Sequence, residues 1–233
     1  MNHNLETIQR LAEEGHPAAQ YNFGICYLLG EGVHKDMTKA MAWFLQAAEN
    51  GLPEAQYNLA LGLRRGEGVE RSPEEALRWL QASAEAGYPD ALVNLGILLE
   101  EGDGLPQDMD LARAYYLEAA EAGHPVGQYN LALLYLDGNG IRQDYKKALV
   151  WFTAAARKGH AHAQEASAIA FLNGEGTSVD KTEAAIWMER AAMQGLASAQ
   201  HNLAILYATG QGVDQDMDEA HRWEERSKAS EAA

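Results

Sequence analysis

The sequence predicts an all-α fold, an α-α solenoid of six helix-turn-helix repeats behind an N-terminal capping helix. Three observations predict it: a strict period of 36 residues, two helical patterns within each period, and helix-stopping or helix-capping residues at fixed places between them. The stretch AQYNFGICYLLGEGVHKDMTKAMAWFLQAAENG (residues 19–51) is followed by AQYNLALGLRRGEGVERSPEEALRWLQASAEAG (residues 55–87), and further versions follow. The pair Gly30 and Gly32 returns as Gly66 and Gly68, Gly102 and Gly104, Gly138 and Gly140, Gly174 and Gly176, and Gly210 and Gly212, without insertion. Ala40, Ala76, Ala112, Ala148, Ala184 and Ala220 keep the same step, as do Trp43, Trp79, Tyr115, Trp151, Trp187 and Trp223.

The elements follow in order. Residues 1–17 read as a capping helix: residues 5–14 align with the closing half of a repeat's second helix, so Ile8, Leu11 and Ala12 are expected to cover the open edge of the first hairpin. Repeats start near residues 18, 54, 90, 126, 162 and 198. In the first helix of a repeat, Gln20, Phe23, Gly24 and Tyr27 share one face, and Gln56, Leu59, Ala60 and Leu63 repeat that seam. The Gly-x-Gly turn stops this helix, because glycine reaches positive φ without a Cβ penalty. Asp36, Ser72, Asp108, Asp144, Asp180 and Asp216 then occupy an N-cap position, and Pro73 stands where a first helical residue tolerates proline. Alanine pairs such as Ala47 with Ala48 and Ala155 with Ala156 let the second helix pack closely, while the Trp43 row supplies bulk. At the far end Glu224 and Lys228 stand where Phe44 and Ala48 stand in the first repeat, a polar outer face that suits a terminal helix. No linker or composition break interrupts residues 1–233, which read as a single domain.

Composition narrows the function classes. The chain has 233 residues, 47% of them hydrophobic and 22% charged, the balance of an ordered protein. A net charge of -16 opposes binding to a phosphate backbone, so no nucleic-acid partner is expected. Cys26 is the only cysteine, which excludes an internal disulfide and a thiolate metal cage. The start MNHNLETIQRLAEEG lacks a basic segment followed by an apolar one, and no run approaches the ~18 apolar residues of a membrane span. The expectation is a cytoplasmic chain without membrane insertion, or a periplasmic or secreted one if a leader has been removed.

With these residues in view, the chain resembles the Sel-1-like repeat family, relatives of the tetratricopeptide repeats. The resemblance rests on A-Q-Y-N-L-[GA]-x-x-Y, the Gly-x-Gly-Val turn, Asp36, the alanine and tryptophan rows and A-A-x-x-G, and it covers nearly all of residues 18–230. The fifth copy departs from it, with Glu165, Ala166 and Ser167 in place of Tyr-Asn-Leu and Thr177 in place of the turn valine. The resemblance implies a right-handed superhelix whose first helices line a concave surface, a non-enzymatic adaptor holding a protein or peptide partner. Family members are common in bacterial secretion, virulence and signalling complexes.

On the first helix, positions 18, 22, 25 and 29 point away from the seam at ~100° per residue. Asn22, Asn58, Asn94, Asn130 and Asn202 form a row of poor helix formers, so something offsets their cost. Two explanations stand: the amide holds the backbone of a bound peptide, as the tetratricopeptide resemblance implies, or it bonds a neighbouring repeat. Positions 28 and 29 vary without architectural need. Arg64 and Arg65 suit a carboxylate, whereas Glu100, Glu101 and Asp137 suit a basic segment. Tyr21, Tyr57 and Tyr129 are expected to be partly buried in the core, and the row Ile25, Leu61, Ile97, Leu133, Ile169 and Ile205 to pack between adjacent first helices.

Chemical motifs are sparse. No phosphate-binding G-x-x-x-x-G-K-[ST] loop occurs, Asp137-Gly-Asn-Gly occupies the same slot as the other turns, and His160 and His162, with His124 one repeat earlier, have no carboxylate or third ligand at convincing spacing, so neither metal nor cofactor is expected. The leading expectation is a monomeric adaptor. One alternative is an immunity-type protein neutralising a secreted toxin. Another is a β-lactam hydrolase, as some cysteine-rich relatives are credited with being, but those carry a disulfide per repeat and this chain has Cys26 alone.

Overall fold

The structure, a computed structural model, describes residues 2–232, with side chains from Leu5 onward. Helix α1 (Asn2–Glu13) is followed by six hairpins: α2 and α3 (Pro17–Leu29, Met37–Glu49), α4 and α5 (Pro53–Arg65, Pro73–Glu85), α6 and α7 (Pro89–Glu101, Met109–Glu121), α8 and α9 (Pro125–Asp137, Tyr145–Arg157), α10 and α11 (Ala161–Asn173, Lys181–Met193), and α12 and α13 (Ala197–Thr209, Met217–Glu231). Among the described residues there is no strand. The chain divides into two compact units, residues 1–115 and 116–233.

The turns work as the glycines require. Gly30 ends α2 in the left-handed region at φ 79, and its N–H reaches the Cys26 carbonyl at 2.8 Å. The Asp36 N–H then bonds back to the Tyr27 carbonyl at 2.9 Å, and its carboxylate caps α3 at the Lys39 N–H. That bond holds the Asp36 carboxyl below its ordinary range. Asp108, Asp144, Asp180 and Asp216 cap in the same way. Ser72 does not: its side chain makes no capping bond, and this helix instead begins with Pro73, whose ring holds φ at the first helical position. Proline also opens four first helices, at Pro17, Pro53, Pro89 and Pro125.

In the first unit, Ala12 of α1 is buried with Ala19, Phe23 and Cys26, and Leu5, Ile8 and Leu11 pack against them, so the capping role expected of this helix is met. The next cluster gathers Ala40, Phe44, Ala47, Ala48 and Leu59. Gly24 explains its own slot, since a Cβ there would lie 2.7 Å from Phe44 Cε1. The second unit has one continuous core running from Ala132 through Phe152, Trp187 and Met188 to Trp223. Its terminal helix keeps the polar substitutions outside: Glu224 pairs with His201 at 2.8 Å and with Lys228 at 3.4 Å, which lowers the Glu224 pKa.

Side-chain hydrogen bonds add a second period. Buried Gln56 donates through Nε2 to the Ala48 carbonyl eight residues earlier, at 3.2 Å. Gln20, Gln128, Gln164 and Gln200 repeat the bond to Ala12, Ala120, Ala156 and Ala192. Each ties a first helix to the end of the helix before it. The third repeat has Leu92 in this slot and lacks the bond.

Candidate partner-binding site

The expected asparagines divide into several environments. Asn58 donates to the Tyr21 hydroxyl at 3.0 Å, and Asn94 donates to the Tyr57 hydroxyl at 2.9 Å. These two follow the neighbour-bonding explanation, and one N–H of each amide is committed to it. Asn202 reaches Glu165, which stands in the tyrosine slot, at 3.3 Å. Asn22 is exposed, and Asn130 is half-buried. Burial raises the pKa of Tyr21 and Tyr57, with Glu54 and Asp90 respectively adding to the effect. Tyr88, ring to ring with Tyr57 at 5.4 Å, is pushed up to about 12 by burial and by Asp90.

The residues at positions 28 and 29 lie at the ends of the first helices. Arg64, Arg65, Glu101 and Asp137 are exposed, and Glu100 is half-buried. Arg65 stands 3.8 Å from Glu67. The apolar row expected to be packed away is only half-buried at Ile25, Leu61, Ile97 and Leu133, and is exposed at Ile169 and Ile205. The side chains at this register project toward the open helix face, so adjacent first helices cover them only in part.

Arg64 and Asn94 meet at a cavity of about 250 Å³ within the first unit, between α4, α5 and α6. Leu61, Leu77, Leu80 and Leu98 give it apolar walls. Arg71 lines it too, held by its Nε–H on the Arg64 carbonyl at 3.2 Å. Glu74 and Asp103 contribute acidic groups. The cavity combines an oily interior with charged groups of both signs.

The second unit has a smaller cavity, about 110 Å³, at the corresponding place between α8, α9 and α10. There Leu136, Ala166 and Ala170 stand in the places of Arg64, Asn94 and Leu98, so the lining loses the arginine and the amide. With Ala166 in the asparagine slot, Tyr129 instead stacks on His160 at 4.6 Å. His160 caps α10, accepting the Ala163 N–H on Nδ1 at 3.1 Å, and His124 caps α8 in the same manner. Burial lowers the His160 pKa, and His162 and His124 lower it further. Of the three histidines noted in the sequence, His124 and His160 are thus helix caps, a role their positions just before helix starts could have suggested, whereas His162 lies within α10.

Hairpins of one length, stacked through small residues and ordered by capped turns, define an α-solenoid repeat scaffold. The Sel1 repeat model matches residues 17–52, 53–88, 89–124, 125–160, 161–196 and 197–227, and the chain belongs to the Sel1 repeat family. A protective antigen of uropathogenic Escherichia coli with an SLR fold is 33% identical with a TM-score of 0.88. That match covers 97% of this chain and 48% of the antigen, so the chain spans about half the antigen's length. A Sel1 repeat protein from Oxalobacter formigenes is 32% identical with a TM-score of 0.86, over 97% of this chain and 99% of that one. An immunity protein from Pseudomonas aeruginosa shares the fold at 20% identity and a TM-score of 0.53, over 93% and 82% of the two chains. Among curated proteins no sequence matches. Sel1 repeat proteins are protein-interaction scaffolds. Among the described residues, no helix is long and apolar enough to cross a membrane.

Proposed function

We propose that this chain is a non-enzymatic adaptor that captures a protein or peptide partner on the exposed face of its first helices, as part of a bacterial secretion, virulence or signalling complex. The observation that carries the reading is the cavity between α4, α5 and α6, where Arg64 and Asn94 border apolar walls that no side chain of the first unit fills. Arg65, Glu100, Glu101 and Asp137, with Asn22, Asn58, Asn130 and Asn202, are proposed to extend the contact surface along the helix ends. The lone thiol does not favour a nucleophilic hydrolase: Cys26 is buried, and burial together with Glu31 raises its pKa.

Affinity capture from the native host followed by mass spectrometry tests the reading, with the affinity of the recovered partner then measured against the Arg64→Glu/Arg65→Glu variant. Weakened binding with unchanged helical content is expected. Unchanged affinity would move the site off this face. Recovery of a secreted toxin would narrow the adaptor to an immunity role.

A further inference from the structure

The period makes it possible to ask where the stack fails to close. The second glycine of a turn abuts the start of the second helix one repeat earlier: Gly68 lies against the Met37 carbonyl, Gly176 against that of Tyr145 and Gly212 against that of Lys181. Gly104 has nothing within 4 Å in the direction a Cβ would take, although its φ of 72 equals that of Gly68. At the same joint the glutamine tie is missing, because Leu92 occupies its slot. The filling differs as well. In the joint before it, buried Met41 seats its sulfur against Gly62, whereas the equivalent Leu77 and Leu98 stay half-buried. The Asn94 bond to Tyr57 persists, so the first helices remain in register while the turn end of the joint stands open. The cavity is therefore a feature of the stacking.

Its size and rim indicate what it receives. About 250 Å³ is below the ~300–1,000 Å³ of pockets that enclose whole small ligands, and suits one large side chain. Among the described residues Arg64 forms no ion pair, while Arg71 is anchored through Nε and keeps both Nη groups free to meet a carboxylate end-on. We infer that this cavity anchors one aliphatic or aromatic side chain of an extended peptide segment, with the carboxylate of the adjacent Asp or Glu of that segment held by Arg64 and Arg71. The inference rests on the adaptor reading above and specifies the chemistry of its partner. Glu74 and Asp103 oppose this carboxylate and set an upper limit on affinity.

The test titrates the full chain with three blocked peptides, acetyl-Gly-Leu-Glu-Gly-amide and its Leu-Gln and Ser-Glu counterparts, following backbone amide and arginine side-chain NMR signals. The Leu-Glu peptide is expected to shift Arg64, Arg71 and Leu77 and to bind about fivefold more tightly than either counterpart. Leu77→Trp, which fills the space, is expected to abolish binding, and Arg64→Gln with Arg71→Gln to reduce the Leu-Glu peptide to the level of Leu-Gln. Glu74→Gln with Asp103→Asn is expected to tighten it. Equal affinities for the three peptides, shifts confined to another face, or no shifts at the solubility limit would overturn the inference. So would a concentration-dependent doubling of mass in light scattering that Leu77→Trp abolishes, since a second copy would then be the occupant. If the peptides bind as expected but Leu77→Trp leaves partner affinity intact, the adaptor surface lies elsewhere and the cavity chemistry stands. If partner binding depends on Arg64 and the peptides do not bind, the reverse holds.

Discussion

Between the first and second hairpins, Gly68 presses on the Met37 carbonyl, Met41 fills the space beside Gly62, and Gln56 ties α4 to the end of α3. One period later Gly104 faces open space, Leu77 and Leu98 line a cavity, and Leu92 offers no tie. Both joints keep the Asn-to-Tyr bond, at 3.0 and 2.9 Å. The difference teaches that two sets of contacts hold a joint: a ladder between first helices that fixes register, and a packing contact at the turn that can be surrendered. Surrendering it creates a site without changing the length of the repeat.

The strongest way to break this comparison is at the glycines. Gly68→Ala meets both the left-handed backbone penalty, about 1–2 kcal/mol, and overpacking against Met37, about 1–3 kcal/mol. Gly104→Ala meets the first penalty only. Urea unfolding is expected to show a clearly larger midpoint loss for Gly68→Ala, and equal losses would mean that the second joint is closed too.

The joint between the fourth and fifth hairpins sharpens the contrast, because His160 has replaced an asparagine partner for Tyr129. Its Nδ1 accepts a capping N–H only when unprotonated. The folded-state pKa is depressed below the ordinary 6.5, so its stabilising contribution is complete above 6.5 and is lost as pH falls through the folded value. Lowering pH from neutral to about 5 is expected to destabilise the wild type through this group, and His160→Asn, which caps without titrating, is expected to remove that part of the pH dependence. A wild-type and variant profile of equal slope would contradict the capping account.

A gain is expected within the second hairpin. Asn50 donates to the Gln20 side-chain oxygen at 3.0 Å, but the equivalent Ala86 cannot, and Gln56 Oε1 is buried without a partner. Ala86 has nearly the backbone angles of Asn50, φ -81 and ψ 4 against φ -83 and ψ 11. Ala86→Asn is expected to stabilise by ~1 kcal/mol in thermal or urea unfolding. An unchanged midpoint would show that Gln56 finds a partner in solution. The smallest effect concerns the ladder: Asn58→Ala is expected to cost ~0.5–1 kcal/mol by losing Tyr21, and exposed Asn22→Ala close to nothing.

Much of this architecture was legible in the sequence because its signals are local. Gly30 and its successors sit where positive φ is needed, Asp36 and its successors sit at helix starts, and Ala12 marks the cap. The tie from Gln56 to Ala48 was not legible, since burial on the seam says nothing of which carbonyl an amide will meet. Arg64 and Asn94 were singled out separately, one for its variability and one for its row. Their convergence depends on the volume left by Leu77, Leu98 and Leu92, which no periodicity reveals. The exposure of Ile169 and Ile205 was likewise hidden, because helical spacing fixes a face but not how far a neighbour covers it.

The open joint can be tested most directly by thiol labelling. With the buried native thiol removed by Cys26→Ala, the equivalent positions of the two joints are compared as Met41→Cys and Leu77→Cys, each reacted with N-ethylmaleimide under native conditions. Leu77→Cys is expected to react at least about tenfold faster, as an accessible thiol should beside a buried one. Equal rates would mean that the two joints are packed alike and that the cavity does not exist in solution.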